Sequence, residues 1–198
     1  MILPIYPYGS PVLRTETTPV EADSPALQRL LDDMVETMHG ASGIGLAAPQ
    51  VGRTERLFVI DLSAMAEDIE EELGEVPAWA QGPVAFINPE IEEGDEDDLC
   101  DFEEGCLSIP DIRENVVRPD RIHVRFLDRS FEPQETEASG VLARVVQHEF
   151  DHLNGVLFLD HISPLRRRLL KRRLREMAQG RVEADYPLAD PKKTGQPV

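Results

Sequence analysis

Residues 140–155 read GVLARVVQHEFDHLNG, and this stretch decides the fold. Val141, Val145, His148 and His152 recur at three- and four-residue spacing, so they fall on one side of a helix running from about Gly140 to near Gly155. Inside it, His148-Glu149-Phe150-Asp151-His152 forms an H-E-x-x-H pattern. Histidines four apart on a helix point the same way and can share one metal ion. Glu149 sits beside the open coordination position, where a carboxylate can take a proton from water that the cation has acidified.

Working outward, the segments Leu57 to Leu62, Val84 to Ile91 and Ile122 to Asp128 read as strands separated by turn signals. An earlier helix is marked by Ser24 as N-cap, Pro25 at the first helical position and Gly40 at the end, with Leu27, Leu30, Leu31, Met34, Val35 and Met38 as its buried stripe. A last helix, Pro164 to Gln179, carries Leu165, Leu169, Leu170, Leu174 and Met177 as an apolar stripe with arginines around the rest. The expectation is an α+β fold: a single domain with antiparallel or mixed sheets around the central H-E-x-x-H helix, plus a C-terminal amphipathic basic helix. The expected division is a catalytic region 1–163, the basic helix 164–179 and a flexible tail 180–198. Ser63 to Pro83 is acidic and punctuated by Gly74, Pro77 and Gly82, which reads as a surface excursion with a helical turn at Glu67 to Leu73. No internal repeat is present.

The charge is distributed unevenly. Residues 1–164 carry 34 acidic and 10 basic side chains, a net of -24, whereas residues 165–181 hold eight Arg or Lys against Glu176 alone, a net of +7. The overall net charge of -18 argues against a nucleic-acid binder as a whole, DNA included, and the basic segment needs its own explanation. The first residues, Met1 to Leu13, are broken by Pro4, Pro7 and Pro11 and have no basic lead-in, so neither a signal peptide nor a membrane span is expected there. Cys100 and Cys106 are the two cysteines, and reduced thiols fit a cytoplasmic location.

Two histidines do not complete a catalytic metal site; a third protein ligand is needed, leaving one position open. Downstream, His161 follows a stretch read as a strand and lacks the Gly-containing extension of the metzincins. Upstream, Cys106 in Glu104-Gly105-Cys106-Leu107-Ser108 offers a thiolate, a strong ligand for a first-row divalent metal, while Cys100 reads as a buried small hydrophobe. Two other readings stand beside a hydrolase with an upstream cysteine. One is an H-E-x-x-H metalloprotease with a downstream ligand. The other is a noncatalytic metal-containing binding protein of the same fold, in which a closed site of four protein ligands would be expected.

Gly43-Ile44-Gly45-Leu46-Ala47-Ala48-Pro49-Gln50, Glu104-Gly105-Cys106-Leu107-Ser108 and Gln147-His148-Glu149-Phe150-Asp151-His152 resemble, in order and approximate spacing, the three signature motifs of peptide deformylases. The resemblance covers roughly residues 1 to 175 and departs in the excursion at 63–83 and the run Asp95 to Asp101, read as loop variation. It implies hydrolysis of the N-formyl group from the N-terminal formyl-methionine of nascent proteins, with release of formate. It also implies Cys106, His148 and His152 as ligands of one Fe(2+) ion per chain, replaceable by Ni, Co or Zn. Glu149 matches the general base and acid, while Gln50 and the backbone N–H of Leu107 match the donors that hold the oxyanion. Backbone groups near Ile44 and Gly45 match an edge along which the substrate lies as an added strand. Ile44, Val141, Arg144 and Val145 match the methionine pocket, Arg144 with its stem in the pocket and its head in water. Arg113, in the loop after the second motif, matches a position reaching the substrate beyond methionine. The resemblance further implies ribosome contact through the basic C-terminal helix.

Overall fold

The computed structural model describes residues 1–63, 82–93 and 98–192. Along them the chain forms α1 (Pro25–Gly40), β1 (Gly45–Ala47), β2 (Leu57–Ile60), β3 (Val84–Glu93), β4 (Leu99–Cys106), β5 (Ile109–Pro119), β6 (Arg121–Leu127), β7 (Pro133–Ser139), α2 (Gly140–Leu153) and α3 (Pro164–Ala178). The first helix starts as its sequence dictates, with the Ser24 hydroxyl accepting the Leu27 N–H at 3.1 Å and Pro25 in the first turn. Its N-cap, stripe and end agree with the expectation. The acidic excursion and its turn at Glu67 to Leu73 lie outside the described residues.

Strands β1, β2, β3, β6 and β7 pair in that order into one antiparallel sheet, and β4 and β5 form a separate two-stranded hairpin. The run LFVI of β2 is buried at every position because the sheet is covered on both faces. Phe58 and Ile60 pack with Val141, Val145 and Val146 of α2, whereas Leu57 and Val59 pack with Leu31, Met34 and Met38 of α1. Across from the sheet, α2 meets the hairpin, since Arg144 donates to the Val116 carbonyl of β5 at 2.9 Å. The H-E-x-x-H helix therefore lies between a five-stranded sheet and a hairpin, which is the α+β arrangement expected. A third apolar cluster joins Ile109, Ile112 and Val116 of β5 to Phe158, Leu159, Leu174 and Met177 and seats α3.

Five expectations need correction. The run Asp95 to Asp101 is not all loop, because β4 begins at Leu99, and Arg113 lies within β5 rather than in a loop. His161 follows a short 3-10 helix, Phe158–Asp160, and not a strand. The apolar stripe of α3 is buried only in its second half: Leu174 and Met177 are buried, while Leu165 and Leu169 stay 68% and 67% exposed. The first half of that helix is tethered by charge instead, through Arg166 to Glu114 at 2.8 Å and Arg167 to Asp160 at 3.0 Å. Finally, the segment from 180 to 192 is not a free tail. The Ile5 N–H donates to the Pro187 carbonyl and the Ala189 N–H to the Ile5 carbonyl, both at 2.9 Å. Among the described residues no helix is long and apolar enough to cross a membrane.

Candidate active site

Gly140 turns β7 into α2 with φ +58, a left-handed conformation that glycine adopts without strain, and its N–H donates to the Asp120 carbonyl at 3.0 Å. From that start α2 carries His148 and His152 to the end of β4, where the hairpin register shifts between Gly105 and Cys106. Cys106 Sγ is 3.2 Å from His152 Nε2, and one ligand atom from each of Cys106, His148 and His152 lies within 4.8 Å of the others. His161 is engaged elsewhere, its Nε2 lying 2.7 Å from Asp151 Oδ2.

The orientation of His148 is set from behind. Its Nδ1 lies 2.8 Å from Glu104 Oε2, which leaves Nε2 for the cluster. Glu104 is 5% exposed and receives Arg118 Nε at 2.6 Å, Arg118 Nη2 at 3.1 Å and Arg144 Nη1 at 3.0 Å. Burial alone would raise the Glu104 carboxyl, but hydrogen bonds from His148 and Arg118 outweigh it and hold the group well below the usual carboxylate range. Glu104 is thus an anion balanced by two arginines. This corrects the reading of Arg144: its head does not reach water but is buried on Glu104, on the Val116 carbonyl and on the Cys100 carbonyl at 2.6 Å. The cause is the buried anion, which an arginine one helical turn before His148 is placed to neutralise. Cys100 is half-buried rather than a core residue.

Glu149 is 4% exposed and its Oε2 has no hydrogen-bond partner. Burial pushes its carboxyl up to about 7, with the His148 charge opposing and Glu104 adding to the rise. Room for it is made by Gly45, where a Cβ would stand 2.4 Å from Glu149 Oε1. His152 is held down to about 3 by burial and by the His148 charge, so it is a neutral imidazole, and its Nδ1 is unpartnered. His148 is pushed up in spite of its burial, because Cys106 and Glu104 accept from it. A thiolate with two imidazoles is a donor set that a first-row divalent cation fits.

Gln50 lies in the 3-10 helix Ala48–Val51 and is 1% exposed. Its Oε1 accepts the Ala47 N–H at 2.8 Å, which turns Nε2 toward Cys106 Sγ at 3.4 Å and Ser108 Oγ at 3.3 Å. Leu107 follows Cys106 and packs on Gly43, where a Cβ would meet its Cδ1 at 2.7 Å. Ile44 packs on the cluster that contains Val141 and Val145, and Gly45 opens β1, the edge strand of the sheet. Arg113 stands apart, its side chain 69% exposed and 3.9 Å from Glu103. The structure thus gathers Cys106, Gln50, Leu107, His148, Glu149 and His152 at one place, with Ile44, Val141 and Val145 as an adjoining apolar group. Sequence reasoning did not single out Glu104, Arg118 or Asp151. The available signal was chemical: a ligating histidine wants a carboxylate on its other nitrogen, and Glu104 sits two residues before Cys106.

The polypeptide deformylase family model matches residues 2–168. A peptide deformylase of Salinibacter ruber is 62% identical over 188 residues, covering 95% of this chain and 94% of that protein. One from Christiangramia forsetii is 41% identical, covering 96% of this chain and 97% of its own length. Among solved structures, the peptide deformylase of Ehrlichia chaffeensis superposes with a TM-score of 0.79 at 34% identity, covering 91% of this chain and 98% of that one. That of Thermotoga maritima superposes with a TM-score of 0.71 at 43% identity, covering 83% of this chain and 99% of its own.

Proposed function

This chain belongs to the polypeptide deformylase family, and from that membership we infer a metal-dependent hydrolase that removes the N-formyl group from the N-terminal methionine of nascent proteins and releases formate. The observation that carries the reading is the buried, unpartnered Glu149 carboxylate beside the Cys106, His148 and His152 cluster. Those three side chains would hold one divalent ion, which when bound supplies Lewis-acid polarisation and acidifies water.

Glu149, a buried carboxyl group that no other side chain among the described residues engages at Oε2, accepts the proton of the attacking water and returns it to the departing amine. Gln50 Nε2 and the Leu107 N–H donate to the formyl oxygen as it becomes an oxyanion, and a neutral amide serves where a carboxylate would repel that charge. The substrate backbone lies along the β1 edge near Ile44 and Gly45, and its methionine side chain enters the apolar group of Ile44, Val141 and Val145. Arg144 contributes by clamping Glu104 rather than by lining that pocket. Arg113, exposed on β5, reaches substrate beyond the methionine.

Iron in the Fe(2+) state is proposed as the native metal, with Ni, Co or Zn able to replace it, and the cytoplasm as the place of work. Protein purified anaerobically should release formate from a formyl-Met peptide and carry one iron per chain. Exposure to air should then abolish turnover, and nickel loading should protect it. Full activity in air would remove iron. Ribosome contact is proposed for the exposed basic face of α3, where Arg168, Lys171 and Arg175 recur at helical spacing on one exposed side. Changing these three to Glu should weaken salt-sensitive co-sedimentation with ribosomes and leave peptide turnover intact. Unchanged co-sedimentation would dispose of the contact.

A further inference from the structure

The family model stops at residue 168, yet the chain beyond it returns to the active site. After α3 the backbone turns at Gly180, with φ +74, and runs back beside the N-terminal segment, where Leu188 bridges Ile5 in parallel. Tyr186 and Leu188 pack against the same apolar cluster as Leu107, a cluster that includes Ile5, Met34, Met38 and Leu46. There the Tyr186 hydroxyl donates to the Leu107 carbonyl at 2.8 Å, in a partly buried setting.

That carbonyl belongs to the turn joining β4 to β5. One residue on, the Ser108 carbonyl accepts the Tyr8 N–H at 2.7 Å, and the Ser108 hydroxyl faces Gln50 Nε2 at 3.3 Å. The turn is therefore held at successive residues, by the N-terminal segment, by the Gln50 helix and by the C-terminal segment. Leu107 itself has space on one side only because residue 43 is glycine. Each of these contacts restrains the turn, and a restrained turn keeps its backbone donors in one direction. An oxyanion donor works by being aimed before charge develops, and a small misdirection weakens it.

We propose that Tyr186 is a positioning residue for deformylation: by holding the Leu107 carbonyl it fixes the turn that aims the Leu107 N–H at the oxyanion. The inference rests on the reading of that N–H as an oxyanion donor. A tyrosine suits the task because a rigid ring bound in an apolar cluster delivers one hydroxyl with few torsions to freeze. Burial, reinforced by the charges of Cys106, Asp111 and Asp185, pushes its phenol up to about 12, so the group stays a donor across the working pH range. The segment beyond residue 168 thereby supports the chemistry from a part of the chain that the family model does not include.

The test is Tyr186→Phe in the full-length, nickel-loaded protein, which removes the hydroxyl and keeps the ring. Loss of one aimed neutral hydrogen bond should lower kcat about three- to tenfold. Because the oxyanion exists only in the transition state, KM for a formyl-Met peptide should not move, and metal content should match the wild type. A purely structural tail contact would instead lower the melting midpoint and leave kcat unchanged; that result, or a loss confined to KM, overturns the proposal. Gln50→Ala, measured beside it, tests the oxyanion reading separately. If Gln50→Ala lowers kcat and Tyr186→Phe does not, the inference alone fails; if neither does, the oxyanion reading fails and takes the inference with it.

Discussion

Glu104 shows how much of the site depends on a side chain that never meets substrate. It is a buried anion whose two oxygens are spent on Arg118, Arg144 and His148, so it fixes which histidine nitrogen faces the cluster. Glu104→Gln keeps the shape but removes the charge, leaving two buried guanidinium groups underpaired. Metal affinity should fall about 10- to 100-fold, and titration of the apo variant with zinc against a competing chelator measures it. Unaltered affinity would mean that the two arginines, and not the histidine, are what Glu104 serves. Gln50 acts at the opposite side of the cluster. Its carbonyl is fixed by the Ala47 N–H, so only its amino group can meet the substrate. Gln50→Ala should lower kcat about 10²- to 10³-fold with little change in KM, since an oxyanion donor is used only as charge develops. A change confined to KM would contradict the role.

At the scale of elements, β2 is tied to the end of α1 by Asp61, which lies 2.8 Å from His39 Nε2 and accepts the Ser63 N–H at 2.9 Å. Burial tends to raise the Asp61 carboxyl, but the hydrogen bonds from Ser63 and His39 prevail and its pKa is lowered from 3.8. A carboxylate depressed on folding contributes stability that is present above its unfolded pKa and is lost as pH falls through the folded one. Asp61→Asn should therefore lower the melting midpoint at neutral pH, and the difference from wild type should shrink as the pH drops below about 3.8. A difference that persists unchanged at pH 2 would assign the effect to shape rather than charge. Elements with clean periodicity were legible in the sequence: α1, α2 and the strands β2, β3 and β6 follow from apolar spacing and caps. The hairpin β4–β5 was not, because its inward positions include Glu104, Glu114 and Arg118, buried as ion pairs that an apolar pattern cannot register. Strand β7, PQETEAS, sits at the sheet edge and is largely exposed, so it too lacks a pattern. The stripe of α3 misled in the other direction: its spacing is helical throughout, but only Leu170, Leu174 and Met177 find a core beneath them, and Leu165 and Leu169 stay exposed.

Across the whole molecule, an acidic body of net -24 carries a basic segment of net +7, and only three lysines occur among the 20 basic residues. Like charges at this density repel one another in the compact state unless counter-ions screen them. Raising KCl from about 0.05 to 2 M shortens the Debye length to a few ångströms, so the melting midpoint should climb steeply over that range. A flat response would show that the acidic residues are spaced widely enough to be solvated singly. The same assembly places one buried carboxylate, Glu149, beside a cluster built from the end of β4 and from α2, and the proposed chemistry depends on it. The direct measurement is kcat on a formyl-Met peptide together with bound metal per chain, for Glu149→Gln and wild type side by side. One metal ion per chain is expected in both proteins, with a kcat about 10²- to 10⁴-fold lower in the variant. Near-wild-type turnover in a fully metallated Glu149→Gln protein would contradict the proposed role.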